Sequence, residues 1–104
     1  MTVIALLSVA PVTDDSMAED VADAVAALEA FDVSYETNPM GTVIEATDMD
    51  TLLAAVKAAH EAVEADRVST VLKIDDKRTS DRDADTKVER VETHLGRPAR
   101  SDGD

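Results

Sequence analysis

The feature that most constrains this chain is the run Val3-Ile4-Ala5-Leu6-Leu7-Ser8-Val9-Ala10, closed by Pro11. Eight residues bounded by a proline suit a strand better than a helix. On a strand, Val3, Ala5, Leu7 and Val9 take one face, and Ile4 and Leu6 take the other. A strand apolar on both faces belongs inside a sheet covered on both sides. In a chain of 104 residues that requirement is demanding. One layer of helices can cover one face, and a C-terminal helix or a second subunit must cover the other.

The remaining periodicities supply the partners of that strand. Ser16 and Glu19 have capping-box spacing at a helix start. Met17, Val21, Ala24, Val25 and Leu28 follow within an arc of roughly 120° on a helix. Val33–Asn38 and Gly41–Thr47 read as strands, with Pro39-Met40-Gly41 as turn material. In the second of these, Thr42, Ile44 and Ala46 share one face, and Val43 and Glu45 the other. Asp48 or Asp50 can start a second helix with the stripe Met49, Leu52, Leu53, Val56, Ala59 and Val63. Val68–Asp75 is a β-branched strand that puts Val71 and Lys73 opposite Val68, Thr70, Leu72 and Ile74. A short helix over 85–95 places Val88, Val91 and Leu95 inward.

The order β-α-β-β-α-β, plus a C-terminal helix, predicts an α+β, ferredoxin-like sandwich with a four-stranded antiparallel sheet. Right-handed crossovers put both central helices on one face. Residues 1–95 make a single domain, and the polar tail 96–104 is expected to be disordered.

Charge bears on partners. Asp and Glu number 23 against 10 Lys and Arg, a net charge of −13. That balance repels phosphates, so nucleic acid and anionic membrane surfaces are disfavoured. Fifteen of the acids are Asp and only four residues are Lys, a texture that fits a salt-rich cytoplasm. The competing explanation is an acidic face for a cationic ligand. No run approaches the ~18 apolar residues of a membrane span. The apolar N-terminus lacks the basic start of a signal peptide. A cytoplasmic protein is the expectation.

Catalytic signals are sparse. There is no Cys, which excludes disulfides and thiolate chemistry. Neither a nucleophile elbow nor a glycine-rich phosphate loop occurs. The acids at 75–76 and 81–85 resemble part of a calcium loop but lack its central Gly and terminal Glu. No metal, cofactor or catalytic residue is therefore assigned. His60 falls inside the second helix's apolar stripe, as a hydrogen-bonded, half-buried residue that caps the core or as a ligand contact at an interface. His94 sits by the last helix's terminal carbonyls. Phe31 plugs the end of helix one, and Tyr35 stands beside the hairpin as a structural or a stacking residue. Strand alternation brings Ser8, Glu45 and Lys73 onto the face of Ile4, Leu6, Val43 and Val71. Apolar walls with a few polar groups suit a small heterocycle. A Glu45–Lys73 pair across the sheet is the plainer alternative.

The segment Tyr35-Glu36-Thr37-Asn38-Pro39-Met40-Gly41-Thr42-Val43-Ile44-Glu45 resembles the hairpin of the thiamine-binding, YkoF-like protein family. Ser8-Val9-Ala10-Pro11, Ala59-His60-Glu61-Ala62-Val63, Lys73-Ile74-Asp75-Asp76-Lys77-Arg78 and Lys87-Val88-Glu89-Arg90-Val91-Glu92 extend the likeness over about residues 1–95. The resemblance implies a ferredoxin-like subunit assembled into homodimers or homotetramers. It also implies binding of thiamine or its pyrimidine part without turnover. Ser8, Asn38, Met40, Gly41, Thr42, Glu45 and Lys73 are the matching ligand-binding positions. The alternative is a structural or regulatory oligomeric module with no small-molecule ligand; an enzyme acting through Glu45 and Lys73 is a third.

Overall fold

A computed structural model describes residues 2–79, 83–101 and 103. Asp81 and Arg82 of the calcium-loop-like segment, and Asp102 and Asp104 of the tail, lie outside the described residues. The elements are β1 (Val3–Pro11), α1 (Ala18–Ala27), a short 3-10 turn (Leu28–Ala30), β2 (Val33–Asn38), β3 (Gly41–Ala46), α2 (Met49–Ala62), β4 (Val68–Asp76) and α3 (Ala84–Leu95). The sheet order is β2-β3-β1-β4, with every neighbouring pair antiparallel. This is the ferredoxin-like plan, with the doubly apolar β1 in the interior of the sheet as its composition requires.

Alternation divides the sheet cleanly. Val3, Ala5, Leu7 and Val9 of β1 join Ile44 and Ala46 of β3 in the core. Leu28 and, from α2, Leu52, Ala55, Val56 and Ala59 close over them. Burying a residue such as Leu52 contributes about 2 kcal/mol by transfer alone. Ala24, Ala55 and Ala59 are small enough to bring the helices close to the strands.

The ends of the helices follow local chemistry at two places and depart from it at one. Asp48 caps α2, its carboxylate accepting from the Thr51 amide at 2.7 Å. Asp83 caps α3, accepting from the Thr86 amide at 2.8 Å. The Ser16–Glu19 capping box does not form. Met17 already has right-handed helical backbone and stands at the cap position, and the Ser16 hydroxyl reaches only the Ala18 amide, at 3.4 Å. Leu53, at the margin of its stripe, is exposed.

The larger correction concerns α3. Val88, Val91 and Leu95 do not point into a core: they are 50%, 54% and 42% exposed. The stripe is real, but the α1 and α2 layer already fills the core side, and α3 packs along none of its elements. The radius of gyration is 15.2 Å. A compact chain of this length would have about 13 Å. The excess is consistent with a C-terminal helix and a following segment that lie outside the packed core. Among the described residues its first turn is tied to the sheet, through Glu45 to the Ala84 amide and Asp75 to Lys87.

Candidate ligand-binding site

The β2–β3 hairpin is built by three local devices. Asn38 pairs with Gly41 across the turn, and the Asn38 side-chain oxygen accepts from the Met40 amide at 2.8 Å. That contact fixes the tip and leaves the Asn38 amide hydrogens free to donate. Gly41 has φ +155°, and a Cβ there would lie 2.8 Å from the carbonyl oxygen of Leu7. Only glycine lets the hairpin press this closely on β1. Next to the turn, Thr37 and Thr42 are cross-strand partners with their hydroxyl oxygens 2.9 Å apart. Thr42 is buried. One of these hydroxyls donates to the other, so the accepting one keeps its hydrogen for another group.

These residues wall a cavity of about 160 Å³ between the hairpin, the second half of β1 and one side of α1. Leu7, Val21, Ala24 and Leu28 form its apolar floor. Ser8, Asn38, Met40, Gly41 and Thr42, five of the seven positions the resemblance points to, border it together, although strand alternation turns the Ser8 and Asn38 side chains toward the opposite face of the sheet. Thr37 and Met17 line it too. Thr37 went unrecognised in the sequence, although an Asn38–Gly41 turn register already sets it opposite Thr42. No ionisable side chain is part of this lining. The volume falls below the ~300 Å³ at which pockets enclose drug-sized ligands, so the cavity suits one ring rather than two.

Glu45 and Lys73 lie elsewhere. Both are on the open face, but not level with each other. Glu45 is opposite Ile4, which is opposite Asp75, whereas Lys73 is opposite Leu6. They form no ion pair with each other. Glu45 Oε1 instead accepts from the backbone amide of Ala84 at 2.6 Å and so holds the first turn of α3. With Ser34, Glu36 and Asp85 it borders a separate hollow of about 180 Å³. Lys73 borders a broad groove of about 840 Å³ over Ile4, Leu6 and Val43, which reaches Met40 at the hairpin tip. At its far side Lys87 of α3 pairs with Asp75. The hydrogen bond and charge of Lys87 hold the Asp75 carboxyl below its ordinary range.

Tyr35 packs on the core, and its hydroxyl donates to Glu29 at 2.9 Å. That carboxylate raises the phenol above its ordinary value. Phe31 also packs against the core. His60 is exposed rather than half-buried, with Nδ1 2.5 Å from the Thr70 hydroxyl on β4. His94 is exposed on α3. Among the described residues no group of three or more His, Asp or Glu could hold a metal ion. No described helix is long and apolar enough to cross a membrane.

With the fold and the cavity in place, comparison with known proteins is direct. The chain belongs to the thiamine-binding protein family, which it matches over residues 5–92. It is 52% identical to a UPF0045 protein of Methanothermobacter thermautotrophicus over 83 residues, covering 77% of this chain and 84% of that one. The crystal structure of hypothetical protein MJ1052 from Methanocaldococcus jannaschii superposes with a TM-score of 0.80 at 34% identity, covering 86% of this chain and 95% of that one. A Thermotoga maritima protein, for which a thiamine biosynthesis or salvage role has been suggested, superposes with a TM-score of 0.76. At 23% identity, over 88% of this chain and 99% of that one, it bears on the fold alone.

Proposed function

We propose that this protein binds thiamine, or its pyrimidine part, without transforming it, as a homo-oligomer in a salt-rich cytoplasm. The observation that carries this is the convergence of Ser8, Asn38, Met40, Gly41 and Thr42 on one single-ring cavity, in a chain of the thiamine-binding family. Thr37 and Thr42 offer a donor and acceptors to the edge of an aminopyrimidine. Met40 and the α1 side chains provide adaptable apolar walls. The thiazolium ring, which the cavity has no room to enclose, stays toward solvent, where a net charge of −13 favours a cation. Glu45 and Lys73 lie outside this seat.

One observation favours the rival, an oligomeric module without a small-molecule ligand: Glu45, the most distinctive acid of the family-like hairpin, is engaged by α3. Isothermal titration separates the two. The ligand account expects saturable heat with thiamine and with the isolated aminopyrimidine. Silence with both at millimolar ligand, in folded protein, would leave the module.

A further inference from the structure

Four residues with polar hydrogen-bonding side chains border the hairpin cavity: Ser8, Thr37, Asn38 and Thr42. Only two of them serve it. Alternation turns Ser8 and Asn38 to the opposite face, and the Asn38 side-chain oxygen already accepts from the Met40 amide. Thr42 pairs with the core residue Leu7 on one side and with Thr37 on the other, so both hydroxyls belong to the cavity face of the sheet. Their oxygens are 2.9 Å apart. Thr42 is buried and Thr37 exposed, so the pair runs from the cavity interior to its mouth. Any orientation of a bound ring by side-chain hydrogen bonds falls to these two hydroxyls.

A hydroxyl carries one hydrogen and accepts through its lone pairs. When Thr37 donates to Thr42, the Thr42 hydrogen is left for a ligand and Thr37 still accepts. When Thr42 donates to Thr37, the two roles exchange. Each arrangement shows the cavity a donor beside an acceptor, and the two arrangements differ only in which end is which. The exchange needs nothing more than rotation of two O–H bonds. The oxygens themselves are held. The Asn38–Gly41 pair closes the ladder on one side of them, Glu36–Val43 continues it on the other, and Gly41 is pressed against the Leu7 carbonyl. No ionisable side chain lines the cavity, so no fixed charge in the lining imposes one direction on the pair.

We propose that the Thr37–Thr42 hydroxyl pair determines the specificity of this cavity, and that by reversing its hydrogen bond it reads heterocycle edges of either polarity. This rests on the pyrimidine-binding reading above and deepens it by setting the class of ring admitted. An aminopyrimidine presents an N–H donor beside a ring-nitrogen acceptor. Its oxo counterpart, with the amino group replaced by a carbonyl oxygen, presents an acceptor beside a ring N–H. One arrangement of the pair matches the first edge, and the reversed arrangement matches the second. A site with a fixed donor would reject one of these rings by orders of magnitude, because a buried polar group would be left unpaired. A reversible pair leaves nothing unpaired with either ring. The cavity therefore takes the amino and the oxo form of one pyrimidine with similar affinity.

Isothermal titration tests this with two probes, the aminopyrimidine part of thiamine and its oxo counterpart. Wild type, Thr37→Val, Thr42→Val and Thr37→Ser are compared, each checked for fold by circular dichroism. Wild type is expected to bind the two rings with dissociation constants within about threefold of each other, where a fixed donor would separate them by roughly a hundredfold or more. Valine keeps the branched shape and removes the hydroxyl, so either valine variant should weaken both rings by about tenfold. Thr37→Ser keeps the hydroxyl and should bind like wild type. Should Thr42→Val fail to fold, Thr37→Val at the exposed end of the pair carries the test. A roughly hundredfold preference of wild type for one ring, or Thr37→Val binding both as tightly as wild type, would overturn the proposal and leave the pyrimidine reading standing. Silence of wild type with both rings would overturn that reading and the proposal together.

Discussion

Replacing Gly41 by Ala probes the closest approach in the molecule. The new Cβ would sit 2.8 Å from the Leu7 carbonyl oxygen and 3.1 Å from Leu6 Cδ1. Leu6 can rotate away. The Leu7 carbonyl belongs to the backbone of β1, paired on both sides, and moves only if the β1–β3 ladder opens. Backbone strain at φ +155° adds to the clash. Strain of ~1–3 kcal/mol and overpacking of ~1–3 kcal/mol together suggest a loss of about 3 kcal/mol. With the usual unfolding entropy per residue, a chain of 104 residues then melts about 14 °C lower. Thermal unfolding followed by circular dichroism in molar salt reads this directly. A fall of only a degree or two would show that the hairpin does not press on β1 as described. It would also remove the physical reason for glycine at the cavity wall.

Further perturbations address α3, the caps and the charge. Glu45→Ala frees the Ala84 amide; the cost is about 1 kcal/mol, and hydrogen exchange over residues 84–95 should accelerate while the core amides stay protected. Unchanged exchange would show that Glu45 does not hold the helix. Asp48 and Asp83 are depressed below the ordinary 3.8, Asp48 first by the Thr51 backbone amide and Asp83 first by the Thr86 side chain. Because the folded values are the lower ones, their contribution is complete above that point and is lost as pH falls through them. Amide protection at Thr51 and Thr86 should therefore fail in acid below about pH 4. It should not fail near neutrality. Raising NaCl from low to molar concentration should raise the melting temperature by screening the net charge of −13. A lower melting temperature in salt would contradict the place given to self-repulsion.

What could be seen in the sequence was whatever short-range periodicity encodes. Alternation in β1 and β3 sorted Val3, Ala5, Leu7, Ile44 and Ala46 from Ile4, Leu6, Val43 and Glu45, and the core follows that sorting. The order of elements then left one economical sheet topology. The α3 stripe shows the limit. Val88, Val91 and Leu95 are spaced for burial, but spacing does not say which molecule supplies the partner surface. Glu45 shows another limit, since its contact with Ala84 joins positions 39 residues apart. Alternation placed Glu45 and Lys73 correctly on one face, and only the register reveals that they stand on different rows. The hairpin cavity was half legible. The resemblance pointed to five of its residues, whereas Thr37 and the contribution of α1 required the packing of helix on strand.

The central claim is that a thiamine-type heterocycle sits at the hairpin and not on the open sheet. An amide-resolved NMR titration with thiamine, in molar salt, tests it most directly. The expected result is a saturable set of shifts at Ser8, Thr37, Asn38, Met40, Gly41 and Thr42, with Glu45 and Lys73 little moved. Shifts centred on Glu45 and Lys73, or none at millimolar thiamine, would contradict it.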